Sequence, residues 1–299
     1  MFYSPKEAIE IYKNGCPNKC AMSNGRVIGK AILAGMMIAM GAAGSSVAAH
    51  SIADVGLARL IAAVVFPVGL MMVILMGAEL FTGDCLMVAG LPEKDITPAQ
   101  FIKMLVLVYI GNFIGGIATS ALVILSGQLD YTGGRLGAYT IKVALAKATI
   151  SPSKAVASGI LCNILVCAAV LMAICAKDVT GKLLVSFFVI MLFVTAGYEH
   201  CVANMYYITA GLMAKLNPSY VAVAAEVYGI DASKLEMLSI GNMLVKNLIP
   251  VTIGNIIGGS CCVGLPIYYL NRNKVTVEKT MEVREHGKFG NDIVPGIAR

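Results

Sequence analysis

The sequence predicts an all-α membrane protein: six transmembrane helices in two inverted three-helix repeats, with the second and fifth helices broken. Three observations carry that prediction. The chain is 58% hydrophobic and only 13% charged, with a mean hydropathy of +0.80, a composition outside the range of soluble domains. Uncharged runs of bilayer-crossing length recur along it. The pattern Lys-x-Leu-x-x-Val-x-Ile-Gly-Asn-x-Ile-Gly-Gly occurs at residues 103–116 and again, position for position, at 246–259, which marks an internal duplication.

Five uncharged runs, at 31–49, 60–78, 104–125, 155–176 and 247–270, each suffice for one span, since roughly 20 helical residues cross about 30 Å of hydrocarbon. A sixth span lies within 183–214, which is longer than one straight crossing and too short for two with a turn. Residues 60–91 form a stretch of the same length. Each stretch encloses a glutamate, Glu79 or Glu199, next to a related tripeptide, Gly77-Ala78-Glu79 or Gly197-Tyr198-Glu199. Interrupted spans at corresponding places in two halves point to a transport site; the competing reading is a single span followed by an interfacial helix.

An odd number of spans per repeat makes the second repeat enter the membrane from the opposite side. With the N-terminus in the cytoplasm, 15 Lys and Arg fall inside and 8 outside, the orientation that the positive-inside rule favours. The expected organisation is one transmembrane domain over 1–273, with repeats at about 27–126 and 155–270, and a charged cytoplasmic tail at 274–299 that leaves both termini on the cytoplasmic side. No cleavable signal is visible in the polar first thirty residues. The net charge of +6 suits contact with membrane lipid, and nothing suggests nucleic acid. Seven of the nine cysteines lie in apolar runs, where they act as small hydrophobes. Cys16 and Cys20 stand four apart without a histidine beside them, so neither metal nor cofactor is expected.

Ionisable groups inside a membrane are functional candidates by default. Glu199 and His200 fall at the second interruption, with Asn204 one helical turn further on. At the first, Glu79 precedes Thr82-Gly83-Asp84, which reads as a loop whose Thr or Asp caps a short helix reaching about Leu91. The hydroxyl of Thr82 and the imidazole of His200 then face each other. Lys147 sits in an amphipathic stretch between the halves. No carboxylate-clamping arginine is expected in any span.

The runs Glu79-Leu80-Phe81-Thr82, Gly159-Ile160-Leu161-Cys162-Asn163 and Glu199-His200-Cys201-Val202-Ala203-Asn204-Met205 resemble signatures of the formate/nitrite transporter family. The resemblance covers roughly residues 1–273, and within the family it is strongest to the clostridial hydrosulfide channel branch. It implies a homopentamer in the bacterial cytoplasmic membrane, each protomer holding its own pore in an aquaporin-like arrangement of helices. It also implies that Thr82 is the threonine of the broken second span, His200 the central histidine, Lys147 the vestibule lysine and Asn163 an asparagine near the pore. Phe66, Leu70, Leu80 and Phe193 become the apolar constrictions. The family often carries Ser or Thr after the loop threonine, where this chain has Gly83-Asp84.

These readings converge on a channel for small monovalent anions of weak acids, hydrosulfide first, with formate, nitrite and chloride also admissible. The alternatives are a proton-coupled formate/nitrite symporter and a neutral-solute channel for water or gas. A haem subunit wants paired imidazoles, and of His50, His200 and His286 only His200 is deep. No nucleophile-base-orienter set or phosphate loop appears, so an enzyme is not indicated.

Overall fold

In a bilayer the backbone must satisfy its own polar groups, so apolar runs of this length become helices. The computed structural model describes residues 2–272; the tail expected at 274–299 lies outside the described residues. Among the described residues six helical segments are long and apolar enough to cross a membrane: Asn24–Ala49 (α2), Val55–Met76, Pro98–Leu125 (α6), Pro152–Cys175 (α8), Val179–Ala196 (α9) and Ile240–Asn271 (α12). The second of these bends at Pro67, which divides it into Val55–Val65 (α3) and Val68–Met76 (α4). Their ends carry capping signals: Ser23, Asp54 and Asp178 each accept a first-turn amide, and Thr97 closes a capping box with Gln100.

Around the spans lie shorter elements. Helix α1 (Pro5–Ala21) begins with a Ser4–Glu7 capping box and docks on α8 and the Cys85–Gly90 turn. Helix α7 (Arg135–Ala148) packs on α10 (Cys201–Ala214) and on α11 (Pro218–Tyr228). A single turn of helix, Ala232–Met237, leads into α12.

Two helix pairs form the frame, α2 with α6 and α8 with α12, and both rely on glycine to let backbones touch. A Cβ on Gly115 would stand 2.3 Å from the carbonyl oxygen of Ile32, and one on Gly258 would stand 2.3 Å from that of Ile160. Gly115 and Gly258 hold the same place in the duplicated pattern. Close approach through small residues is how membrane helices gain packing where lipid competes equally for apolar surface.

Between α4 and the next helical residue the chain leaves helical geometry, and it does so again after α9. Gly77, at φ +61°, and Gly197, at φ +75°, end the two helices in the left-handed region that glycine tolerates. Extended residues follow, closing on Leu80 (φ −116°, ψ 124°) and His200 (φ −111°, ψ 116°). Helix then resumes at Phe81–Asp84 (α5) and at Cys201.

The structure revises one sequence expectation here. Thr82-Gly83-Asp84 is not a loop: all three residues belong to α5, which runs on as a 3-10 turn over Cys85–Gly90. Neither Thr82 nor Asp84 caps this helix. The residue at its start is Leu80, which has no side chain able to cap, and the Phe81 amide instead donates to Asn112 Oδ1 on α6 at 3.0 Å.

Candidate functional site

The site begins with the asparagine of the duplicated pattern. Asn112 accepts from the Phe81 amide (3.0 Å) and donates through Nδ2 to the carbonyls of Ala31 (2.8 Å) and Glu79 (3.0 Å). Asn255 repeats the arrangement in the other half: it accepts from the Cys201 amide (3.0 Å) and donates to the carbonyls of Gly159 (2.8 Å) and Glu199 (3.1 Å). Each carboxamide thus ties a carbonyl inside one interruption, that of Glu79 or Glu199, to the first amide of the helix after it. Both side chains are fully buried. In that setting a lost partner costs about 1–3 kcal/mol per orphaned group.

Held this way, the two interruptions meet. Thr82 Oγ1 lies 3.0 Å from His200 Nε2, and both residues are buried. His200 is also the cap of α10, its Nδ1 accepting from the Ala203 amide at 3.1 Å. An acceptor nitrogen carries no proton, so the hydrogen-bond network assigns the proton to Nε2 and makes Thr82 Oγ1 its acceptor. Asn163 braces the contact from behind, donating to the Thr82 carbonyl (3.2 Å) and the Asn255 carbonyl (2.6 Å).

Two cavities flank this contact. The first, of about 240 Å³, is lined by Arg59, Phe66, Lys147, Phe193, His200 and Asn204 among others. The second, of about 250 Å³, is lined by Lys19, Leu70, Leu80, Asp84 and Lys182 among others. The span Val55–Met76 runs from Arg59 in the first to the Gly77 that ends it in the second, so the cavities lie towards its opposite ends. Phe66 meets Phe193 edge-on with ring centres 5.6 Å apart, and Phe193 stacks on His200 at 6.0 Å.

Each glutamate is matched by a lysine. Lys147 reaches Glu199 Oε1 at 3.0 Å, and Glu199 Oε2 accepts from Asn204 (2.6 Å) and Asn247 (3.2 Å). Lys19, carried by α1, stands 2.6 Å from Glu79 Oε2 and 2.6 Å from Asp84 Oδ1. Cys16, also on α1, is buried and donates to the Tyr12 carbonyl; burial pushes its thiol up to about 12, the wrong direction for a thiolate ligand.

The formate/nitrite transporter family matches residues 6–269. The chain belongs to that family. It is 39% identical over 219 residues to the formate channel FocA of Haemophilus influenzae, covering 73% of this chain and 76% of that protein, and 34% identical over 222 residues to FocA of Escherichia coli K12, with the same shares covered. An uncharacterized transporter of Bacillus subtilis, YrhG, is 37% identical over 219 residues, or 73% of each chain. Among solved structures, a pentameric formate channel with formate bound is similar with a TM-score of 0.76 at 31% identity, over 83% of this chain and 97% of the other. An ion channel of the family has a TM-score of 0.74 at 24% identity, over 89% and 99%, a likeness of fold alone. These family relatives are channels and transporters, not enzymes.

The structure brings Thr82, His200 and Asn163 into one connected group, and Lys147, Glu199 and Asn204 into another. Phe66 and Phe193 line the first cavity, Leu70 and Leu80 the second. Thr82, Asn163 and Glu199 are buried without lining either. One expectation is corrected: an arginine does lie in a span. Arg59 belongs to α3 and lines the first cavity, because the helix starts a turn and a half before the uncharged run from which the span was read. Sequence reasoning also left Asn112, Asn255, Asn247 and Lys19 without roles. The signal for the first two was in view, since a polar amide repeated at one register of two apolar spans needs partners.

Asn255→Ala removes one acceptor and two donated bonds, and the expected loss of stability is about 3 kcal/mol, read as a lowered midpoint of thermal unfolding in detergent. Asn255→Asp, which keeps the acceptor for the Cys201 amide but sets a buried carboxyl oxygen against the Gly159 and Glu199 carbonyls, is expected to lose at least as much. Equal stability of Asn255→Ala and the unchanged protein would show that the clamp contributes nothing.

Proposed function

We propose that this chain forms a channel for small monovalent anions of weak acids, with formate the first candidate. The observation that carries the reading is the buried Thr82–His200 contact, a neutral donor between two cavities that are each lined by cations. Formate precedes hydrosulfide because the FocA relatives are formate channels; the hydrosulfide order rests on resemblance alone, and the relatives named give it no support. The interrupted segments are then the broken second and fifth spans of two inverted repeats. Five protomers surround one another as in the similar pentameric channel, each with its own pore, in the cytoplasmic membrane with both termini on the cytoplasmic side.

Magnitudes constrain the mechanism. Moving a small anion into a dry low-dielectric centre costs of order 20 kcal/mol in the idealised limit and several after relaxation. The helix starts at Phe81 and Cys201 contribute up to ~2 kcal/mol each when partly buried. Hydrogen bonds to a charged acceptor add roughly 1.5 to 3 kcal/mol each. Those contributions offset a relaxed penalty and not an idealised one, so the solute crosses partly hydrated or carrying a proton. His200 acts by donating its Nε2 hydrogen bond to the solute in place of Thr82. Full transfer of that proton would leave an imidazolate, so a proton acquired by the solute comes from elsewhere.

Attraction at the first cavity is weaker than a lone lysine would give. A free cation at 4 Å and an effective dielectric near 20 attracts an anion by ~4 kcal/mol, but Lys147 is paired with Glu199. The pair presents a dipole, and Arg59 adds positive charge at the same mouth.

In proteoliposomes His200→Asn is expected to cut formate flux at least tenfold, with Thr82→Ala less damaging because His200 keeps its donor. Flux through His200→Asn equal to the unchanged protein would refute the central role of the imidazole. Lys147→Glu sets two carboxylates against one another and is expected to abolish anion flux while sparing any neutral solute, which separates this reading from a water or gas channel. Accumulation of formate against its own gradient on imposing a proton gradient would turn the channel into a symporter.

A further inference from the structure

The two halves differ at the polar position four residues past each interruption, and the difference has chemical content. Asn204 and Asp84 hold equivalent places: each lies four residues past the end of its interruption, and its amide donates to the carbonyl there, Asn204 to His200 and Asp84 to Leu80, both at 2.9 Å. In the second half one carboxylate, Glu199, faces one lysine, Lys147, with the Asn204 amide as a further donor. In the first half two carboxylates, Glu79 and Asp84, share the ammonium of Lys19 at 2.6 Å each. Their oxygens therefore stand within about 5 Å of one another, where two negative charges repel and one of the pair readily holds a proton.

Asp84 is 1% exposed, and its second oxygen, Oδ2, has no hydrogen-bond partner among the described residues. An ionised carboxylate buried with one oxygen unpaired is costly. The residue lines the second cavity with Lys19, Lys182 and the apolar Leu80. The other titratable groups facing it are Tyr12, Cys16 and Cys20 of α1, Cys85, which donates to the Phe81 carbonyl, and Cys167 of α8. Tyr12 donates to the Gly83 carbonyl, Cys16 to the Tyr12 carbonyl and Cys167 to the Thr82 carbonyl. Lys30 approaches Glu79 at 3.9 Å and donates to the Gly77 carbonyl, so it serves Glu79.

We propose that Asp84 is a proton-binding site of the α1-side vestibule, and that a monovalent anion occupies this cavity together with a proton on Asp84 Oδ2. The step is balanced: the anion and one proton enter from solution, the proton forms an O–H bond on Oδ2, and the carboxyl, now neutral, no longer repels the anion. Without the proton, Asp84 sets a like charge beside the anion. With it, the Lys19 ammonium faces one carboxylate, Glu79, as Lys147 faces Glu199 in the other half. Because the protonated site stands next to Leu80, it is also a source from which the anion of a weak acid takes a proton before crossing. The inference rests on the anion-channel reading and adds to it a site that the other half lacks.

The test uses the full-length protein in detergent at about pH 7, where formate in solution is ionised. Formate is added in weak buffer with a pH indicator, and formate flux is measured in parallel in proteoliposomes. The unchanged protein is expected to take up protons on binding formate, up to one per protomer, the amount set by the share of Asp84 still ionised beforehand. Asp84→Asn, nearly isosteric and carrying the residue type of the equivalent position, is expected to bind formate with no proton uptake, and a carbonyl infrared band that formate induces in the unchanged protein is expected to be missing. Equal proton uptake by the two proteins, or none by the unchanged protein while it binds and conducts formate, overturns the site and leaves the channel reading standing. Absence of formate binding and flux in the unchanged protein removes the channel reading and this inference with it. Should Asp84→Asn fold poorly, Lys19→Gln supplies the second arm: it removes the shared counter-charge and is expected to leave Asp84 protonated before formate arrives, so that uptake again disappears. Unchanged uptake in Lys19→Gln would also overturn the proposal.

Discussion

A helix interrupted in a buried setting must satisfy the carbonyls and amides it releases, and that constraint organises this protein. Each buried orphan costs on the order of 1–3 kcal/mol. Asn112 and Asn255 meet the demand from adjacent spans, each with one acceptor and two donors directed at one interruption. The glycines beside them allow the backbones close enough for a side chain as short as asparagine to reach across. Glycine and asparagine are thus one device, which explains why they travel together in the repeated Gly-Asn-x-Ile-Gly-Gly.

From that frame follow the positions of the chemical groups. Fixing the two helix starts fixes Leu80 and His200 at equivalent places, one apolar and one a hydrogen-bonding cap, and sets Thr82, the second residue of its helix, against the imidazole. The same frame holds Glu79 and Glu199 just before the restarts, where each meets a lysine from outside the spans. Those lysines arrive on α1 and α7, so the charge balance of each vestibule depends on an amphipathic helix rather than on the spans.

Much of this was legible in the sequence, and what was missed has physical causes. Periodicity and hydropathy gave the spans, because length and apolar content are what a bilayer selects. Thr82 and His200 stood out as polar groups in apolar surroundings. The Thr82-Gly83-Asp84 run was misread as a loop because Thr and Asp so often cap helices, whereas here the cap is supplied across space by Asn112, which no local pattern encodes. Arg59 was overlooked because the span was dated from its first uncharged residue, although a helix can begin a turn earlier with its cation at the mouth. Lys147 was expected to act as a lone cation, and only the folded chain shows Glu199 beside it. Pairings between residues 52 or more apart in sequence, such as Lys147 with Glu199 and Lys19 with Glu79, are set by packing and leave no trace in spacing.

The central claim is that the restart of α10 holds His200 as a donor aimed at Thr82. Nitrogen-15 magnetic resonance of the protein labelled at histidine, with His200 assigned by substitution, reads this directly. The structure predicts a bare Nδ1, occupied by the Ala203 amide, and a proton on Nε2. A neutral imidazole with its proton on Nδ1 would contradict it, because it could then neither cap the helix nor donate to Thr82.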